Sequence, residues 1–376
     1  MSINLNRPVI TYENIALFQS DTPAHDSSSN SGENLSFIPL VQSINFSTDL
    51  DRSDAGALGT KDFVDQSNRS APDVQFSINT IETFGSLFSG LLTGYNVREN
   101  LNVDSNFYAV IGDEKGVDVS SQSLSGKDLL SFGNCFLNGI SVSQSVGGLI
   151  NSEYSYVGSN IQAQQLEQNG NLFSGDCPSI NLTGDQTQEK KVLFNEISSY
   201  YSDSAKNVIP SYLTNVTISG SGSVGNFLIN SDSIQSFDLN LQVNRKTIYS
   251  VGKKFPLFRK AIFPSKGSFN FSNLVSNFEV NGQRANLKDF LNSDESYTLN
   301  ISGKDIDYNS FDFQINDMKL GSQSYDSSIG PSSSVNLGFI FEINKVSLLK
   351  TERNFSYLLT EDGSRMLTQQ SNFIIQ

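Results

Sequence analysis

The sequence predicts an all-β protein built from two tandem, internally duplicated β-sandwich or barrel domains with a short connecting helix. Apolar and polar residues alternate in many short runs, the strongest run returns in the second half, and a polar segment separates the two copies. The length of 376 residues agrees with two domains. The 27 Phe and 13 Tyr residues can form cores, so the chain does not have the composition of a disordered protein.

The strongest repeat matches the stretch from Ser43 to Arg52 with the stretch from Ser236 to Arg245. The offset is 193 residues (236 minus 43), and Gly59 and Gly252 lie at the same distance after the two arginines. In both copies every second residue is apolar or β-branched, which is the period of a strand with one buried face. A proline-led strand follows in each copy, so one strand–loop–strand unit is predicted twice.

Two weaker repeats follow in the same order. The tetrapeptide Ser-Gly-Lys-Asp begins at Ser125 and again at Ser302, an offset of 177 (302 minus 125). An alternating run from Leu137 is matched with one from Ile315, an offset of 178 (315 minus 137). Because the order of the matches is preserved, tandem duplication is predicted.

The repeats divide the chain into three parts. Residues 1–175 are assigned to the first sandwich, residues 176–205 to a linker, and residues 206–376 to the second sandwich with a C-terminal extension. The linker helix is predicted because Leu193, Ile197 and Tyr201 are four residues apart. The extension from Lys350 is long enough for two more strands.

Residue types that serve in catalytic and metal sites are scarce. His25 is the single histidine, and Cys135 and Cys177 are too few for a zinc site or a secreted disulfide scaffold. No glycine-rich phosphate loop connects a strand to a helix. The sequence therefore predicts no enzyme activity, no metal and no cofactor, and it also predicts neither a signal peptide nor a membrane span.

The charge is unevenly distributed. The net charge is −14, yet the second copy has seven basic residues and no acidic residue between Arg245 and Lys266. The remainder of the chain therefore carries −21 (−14 minus 7). The seven residues, here called the basic cluster, are Arg245, Lys246, Lys253, Lys254, Arg259, Lys260 and Lys266. Either an assembly contact or a solvated loop without a role explains them.

With these residues in view, the chain resembles the tail tube proteins of long-tailed bacteriophages, of the type with a duplicated tube domain. The resemblance rests on the strand that ends in Arg52, the loop with Leu58 and Gly59, the strand from Pro72 to Ile78, and their recurrence. It implies β-sandwiches whose inner sheets join edge to edge between subunits around a DNA channel. Duplicated members form trimeric rings that imitate six-fold rings.

The resemblance further implies a structural virion protein that is located in the tail and assembled in the host cytoplasm. Its expected partners are further copies of itself in stacked rings and other tail proteins, namely the terminator, tape measure and distal tail proteins; DNA passes through without specific binding. The basic cluster is expected to contact an acidic surface of a neighbouring chain or ring, because positive charge in the channel would bind phosphate. No membrane contact is expected.

Two alternatives remain at this stage. One is a distal tail or baseplate ring protein built on the same unit. The other is a receptor- or carbohydrate-binding β-sandwich adhesin, whose stacking platform would be formed by Tyr154, Tyr156, Tyr200 and Tyr201. The sequence leaves open the ring symmetry, the type of tail and the face that lines a channel.

Overall fold

A computed structural model describes the strand-forming parts of the chain. The described residues are 15–20, 36–49, 52–55, 65–68, 73–83, 104–112, 127–158, 160–165, 208–222, 225–229, 234–249, 251, 256, 258–274, 279–280, 283–284, 296–305, 310–326, 334–343, 346–352, 357–359 and 365–367. They confirm the predicted all-β class, and the helical structure among them is of the 3-10 kind, as in the turn Ser211–Leu213.

The strands are numbered in chain order. Those of the first half are β1 Ile15–Ser20, β2 Ser36–Ile38, β3 Val41–Asp49, β4 Arg52–Ala55, β5 Asp65–Asn68, β6 Asp73–Ile81, β7 Asp104–Ile111, β8 Asp128–Ser145, β9 Asn151–Gly158 and β10 Asn160–Gln165. Those of the second half are β11 Thr214–Gly222, β12 Gly225–Ile229, β13 Ile234–Gln242, β14 Arg245–Ile248, β15 Phe258–Ala261, β16 Lys266–Leu274, β17 Glu279–Val280, β18 Gln283–Arg284, β19 Ser296–Lys304, β20 Ser310–Asp326, β21 Ser334–Glu342, β22 Val346–Glu352, β23 Tyr357–Leu359 and β24 Arg365–Leu367.

Eight of these strands form one antiparallel run, here called the main sheet. Its order is β3-β6-β9-β8-β13-β16-β21-β20, so four strands come from each half of the chain. The two halves meet where β8 pairs with β13. The main sheet therefore passes from one half to the other without a break in its hydrogen bonding.

A second layer lies beside each half of the main sheet. In the first half it has the order β2-β1-β7-β8-β10, and in the second half β12-β11-β19-β20-β22. The long strands β8 and β20 take part in both layers, and each contains a residue with positive φ between its two parts, Asn134 and Asp317. Asx residues tolerate this left-handed conformation better than most, which suits the bend.

The pairing order is the same in the two halves, and for the strongest repeat the register is the same too. Phe46 lies opposite Phe76 in the first half, and Leu239 lies opposite Phe269 in the second. Both positions differ by 193 residues (239 minus 46 and 269 minus 76). The strand from Ser43 and the strand from Ser236 therefore hold corresponding places, while the division into two separate domains stays a prediction.

The two weaker repeats were matched wrongly. Phe132 lies opposite Phe107 and Ile315 lies opposite Leu299, with a bulge at the corresponding place in each ladder, so β20 follows β8 at an offset of 183 (315 minus 132). Leu137 thus corresponds to residue 320 and not to Ile315. Alternating runs resemble one another at many shifts, and only strand pairing selects one register.

The matched tetrapeptides also occupy different places. Lys127 directly precedes β8, whereas Ser302, Gly303 and Lys304 form the end of β19. A four-residue identity among Ser, Gly, Lys and Asp arises readily in a chain rich in turn residues. The two tetrapeptides therefore do not occupy equivalent positions in the two halves.

Each half has its core between the two layers. In the first half the Phe76 ring of the main sheet stacks on Phe132 at 4.2 Å between centroids, and Phe107 contacts Tyr156 at 4.6 Å. In the second half Tyr297 meets Phe339 edge-on at 5.2 Å. The alternation in the sequence directs these rings to one face of the main sheet.

Some predictions fall outside the described residues: the linker helix, the loops with Gly59 and Gly252, His25, Cys177, and the part before Ile15 of an opening strand that the sequence predicts from Pro8 to Phe18. The C-terminal extension contains the hairpin β23–β24, with Tyr357 opposite Leu367. Two strands were predicted there.

Candidate assembly surfaces

The junction between the halves is a complete antiparallel ladder. Val243 donates its N–H to the Asn138 carbonyl at 2.8 Å, and Val146 donates its N–H to the Gln235 carbonyl at 2.9 Å. Hydrogen-bonded pairs recur at every second position in such a ladder. The pair formed by Leu239 and Val142 is therefore hydrogen-bonded.

A hairpin from the second half reinforces this junction. Strands β14 and β15 form it, and the guanidinium of Arg245 donates through Nε (2.8 Å) and Nη2 to the Leu137 carbonyl of the first half. The same group lies 5.3 Å from the centroid of the Phe136 ring. Burial lowers the pKa of Arg245 to about 10, and the positive charge of Arg259 acts in the same direction. Arg245 thus stays charged at neutral pH and joins the two halves.

Arg259 makes the second contact across the junction. Its side chain is 5% exposed and forms an ion pair with Asp73 of β6, which is 52% exposed. It also donates to the Gly158 carbonyl at 3.2 Å and to Oγ1 of Thr247 at 3.2 Å. The acidic partner is therefore in the same chain, where the sequence had predicted a neighbouring one.

The basic cluster divides into two groups. Arg245 and Arg259 are turned toward their own first half. Lys246, Lys260 and Lys266 are exposed. Lys253 and Lys254 lie outside the described residues. The predicted contact between chains therefore rests on the lysines.

Strand β3 is one end of the main sheet. Glu82 donates its backbone N–H to the Ile150 carbonyl. Because hydrogen-bonded positions alternate along a strand, the backbone N–H and C=O groups of the even-numbered residues of β6 point toward β9, and those of the odd-numbered residues point toward β3. The backbone N–H and C=O groups of Ile44 and Phe46 consequently point away from β6. Within the described part of the chain no strand lies on that side.

Phe46 is more exposed than its counterpart in the second half because it lies at this open end. Its ring contacts Phe132 at 5.5 Å, yet the residue is 50% exposed. The corresponding residue Leu239, which has β8 beside it, is 1% exposed. Phe46 is therefore a core residue whose neighbouring strand is missing.

The last part of β20 is the other end of the main sheet. Ile343 donates its backbone N–H to the Ser265 carbonyl. The backbone groups of the odd-numbered residues of β21 therefore point toward β16, and those of even-numbered residues such as Asn336 point toward β20, where Asn336 lies opposite Ser324. The backbone groups of Gln323 and Tyr325 then point away from β21. In the described residues that side, too, has no neighbouring strand.

The face of the main sheet opposite the core is polar. Ser, Asn and Gln occupy most of its positions, such as Gln75, Ser77 and Asn270. Among the described side chains of its strands, the charged members are the acids Asp49, Asp73, Glu153, Asp238 and Glu342 and the bases Lys266 and Lys319. Arg245 and Arg259 of the β14–β15 hairpin line a cavity on this face together with Gln75, Ser77 and Glu153. Burial raises the pKa of Asp238, while a hydrogen bond from Ser141 opposes that rise.

The tyrosine platform of the adhesin alternative is contradicted for two of its four residues. Tyr154 and Tyr156 are 0% and 4% exposed, because both point into the core. The Tyr154 hydroxyl donates to the carboxylate of Glu82. Tyr200 and Tyr201 lie outside the described residues.

Three further features of the described residues concern a cysteine, metal ligands and membrane spans. Cys135 is a free, buried thiol whose pKa is raised by burial. In the described part of the chain, no group of three or more His, Cys, Asp or Glu side chains is arranged to hold a metal ion. None of the described helical structure is long and apolar enough to cross a bilayer.

Comparison with known proteins gives no family: no protein-family model matches the chain, and no curated protein is significantly similar to it in sequence. Edge-to-edge joining was expected from the sequence, but sequence reasoning did not identify β3 and the last part of β20 as the strands at the two open ends. The signal was present in the repeat, because Phe46 and Leu239 hold the same place in two strands.

Proposed function

We propose that the protein is a structural subunit of a bacteriophage tail tube, in which three chains form a ring of six similar units and the rings stack around a DNA channel. The main observation in support is the main sheet, which has two open ends and already contains, at its centre, the joint that such ends would make. Open sheet edges favour association unless they are covered.

The geometry of the ends supports a closed ring. The end formed by β3 differs from the end formed by β20, so their contact is head-to-tail, and contacts of this kind produce rings or helical filaments. Each chain supplies two four-strand units to the main sheet. Three chains therefore supply six units and 24 strands (3 times 8).

The polar face supports the channel. DNA must slide along the lumen without adhering, and a face made mainly of short neutral polar side chains, with Arg259 already paired to Asp73, suits that requirement. The opposite face carries the aromatic core and is covered by the second layer. In the proposed tube the polar face of the main sheet lines the channel.

A test combines electron microscopy with mass measurement of the purified full-length protein. We expect hollow tubes or trimeric rings that associate further at raised concentration. Gln323→Pro should prevent both, because proline removes an outward N–H from an edge while leaving the pairing of β20 with β21 intact. Gln323→Ser, which keeps the N–H, is the matched control.

A stable monomer at high concentration, with neither rings nor tubes, would refute the proposal. Rings that never stack would favour the distal tail or baseplate alternative. Saturable binding of a glycan by that monomer would favour the adhesin.

A further inference from the structure

We infer the register in which neighbouring chains pair: β3 of one chain lies antiparallel to residues 322–326 of β20 in the next, with Phe46 opposite Tyr325. This inference rests on the proposed function and deepens it by specifying the contact between two copies. The junction inside the chain supplies the template.

The register follows from two offsets. Strand β13 corresponds to β3 at 193 residues, and β20 corresponds to β8 at 183 residues (239 minus 46 and 315 minus 132). At the junction Leu239 lies opposite Val142. Subtracting 193 from 239 gives Phe46, and adding 183 to 142 gives Tyr325.

The directions of the backbone bonds agree with this register independently. The hydrogen-bonded pair at the junction is Leu239 with Val142. At the open ends, the groups of Phe46 point away from β6 and those of Tyr325 point away from β21, as the ladders on their other sides require. If β3 were shifted by one residue along the neighbouring strand, a residue whose backbone groups point toward the neighbour would lie opposite one whose groups point away. The core-facing side chains of one strand would then also lie on the outer face of the other.

The side chains at this contact are compatible. Thr48 lies opposite Gln323 and Asn45 lies opposite Asp326, so no like charges meet in the contact ladder. The half-exposed ring of Phe46 gains the cover that β8 gives Leu239.

Cysteine pairs measure the register directly. Ser47→Cys with Ser324→Cys occupies a directly opposed, non-hydrogen-bonded pair, where Cα atoms come within disulfide range. The chain carries Cys177→Ser, and the native Cys135 is buried. We expect mild oxidation of assembled protein to produce covalent dimers and trimers, at least tenfold more than Ser47→Cys with Ser322→Cys, which is displaced by two residues.

The junction provides a matched control. Ser141 lies opposite Asn240 at the position that corresponds to Ser324 and Ser47. Ser141→Cys with Asn240→Cys should therefore form a disulfide within one chain and leave the mass monomeric on a denaturing gel.

The outcomes separate the register from the function. If tubes form and the Ser322→Cys pair cross-links faster than the Ser324→Cys pair, the register is overturned and the proposed function stays in place. Absence of both tubes and cross-links, with the junction disulfide formed normally, overturns both.

Discussion

One strand of the repeat occurs in two environments in this protein. Among the described residues, strand β13 has a neighbour on each side and buries Leu239, whereas its counterpart β3 has a neighbour on one side and leaves half of Phe46 exposed. The two strands share their register with the next strand, so the difference comes from the missing neighbour. In the proposed assembly, each chain therefore has one finished joint at its own junction and two ends, open in the part of the chain that the structure describes, that pair with neighbouring chains.

The contrast also extends to charge. At the finished joint Arg259 meets Asp73. At the offset of 193, the corresponding positions are Gln66 and Lys266 (259 minus 193 and 73 plus 193). The joint within the chain has an ion pair that these residues could not form in the proposed joint between chains, so that contact would depend more on backbone pairing and apolar cover.

The largest expected effect is on the buried member of the repeat. Leu239→Ala should lower the free energy of unfolding by about 2–5 kcal/mol, because it leaves a cavity in a packed core. Phe46→Ala should cost the monomer less, about 1–2 kcal/mol, because half of the ring is already in water. Urea unfolding at low protein concentration compares them, and equal losses would mean that the two environments are alike.

A smaller difference is expected between the two arginines that end these strands. Arg245→Ala should cost roughly 1.5–3 kcal/mol, since it removes charged hydrogen bonds to the Leu137 carbonyl. Arg52→Ala should change monomer stability by no more than about 0.5 kcal/mol, because in the proposed ring the carbonyl that corresponds to that of Leu137 belongs to the next chain. Sedimentation should then show weaker association for Arg52→Ala, and unchanged association would contradict the correspondence.

The ion pair at the finished joint should show a modest coupling. A double-mutant cycle with Arg259→Gln and Asp73→Asn is expected to give about 1 kcal/mol, discounted because Asp73 is half exposed. A double-mutant cycle at the corresponding positions Gln66 and Lys266 should give no coupling energy. A coupling that survives only in low salt would mark the first pair as a surface contact.

The smallest effect on stability belongs to the lysines of the basic cluster. Changing Lys246, Lys253, Lys254 and Lys260 to Ser should leave the unfolding midpoint nearly unchanged, since exposed pairs contribute about 0.2–1 kcal/mol each at most. Tube formation should slow, with wild-type assembly also weakening at high salt. Light scattering during assembly measures this, and a normal rate would assign the lysines to a solvated loop.

The sequence by itself determined the all-β class and the equivalence of its strongest repeat. Alternation with period two specifies a strand with one buried face, and Leu239 and Leu241 were placed on that face correctly. The same alternation could not decide which residue of the second half corresponds to Leu137, because a periodic pattern matches itself at several shifts.

Tertiary structure decided everything that depends on neighbours. Only strand pairing shows that Arg259 faces Asp73, a residue 186 positions away in sequence, and that Tyr154 is buried beside Glu82. Whether Phe46 and Leu239 are exposed likewise depends on which strand lies beside them. The local sequence sets the face on which a side chain lies, and the complete sheet sets whether that face and its edge are covered.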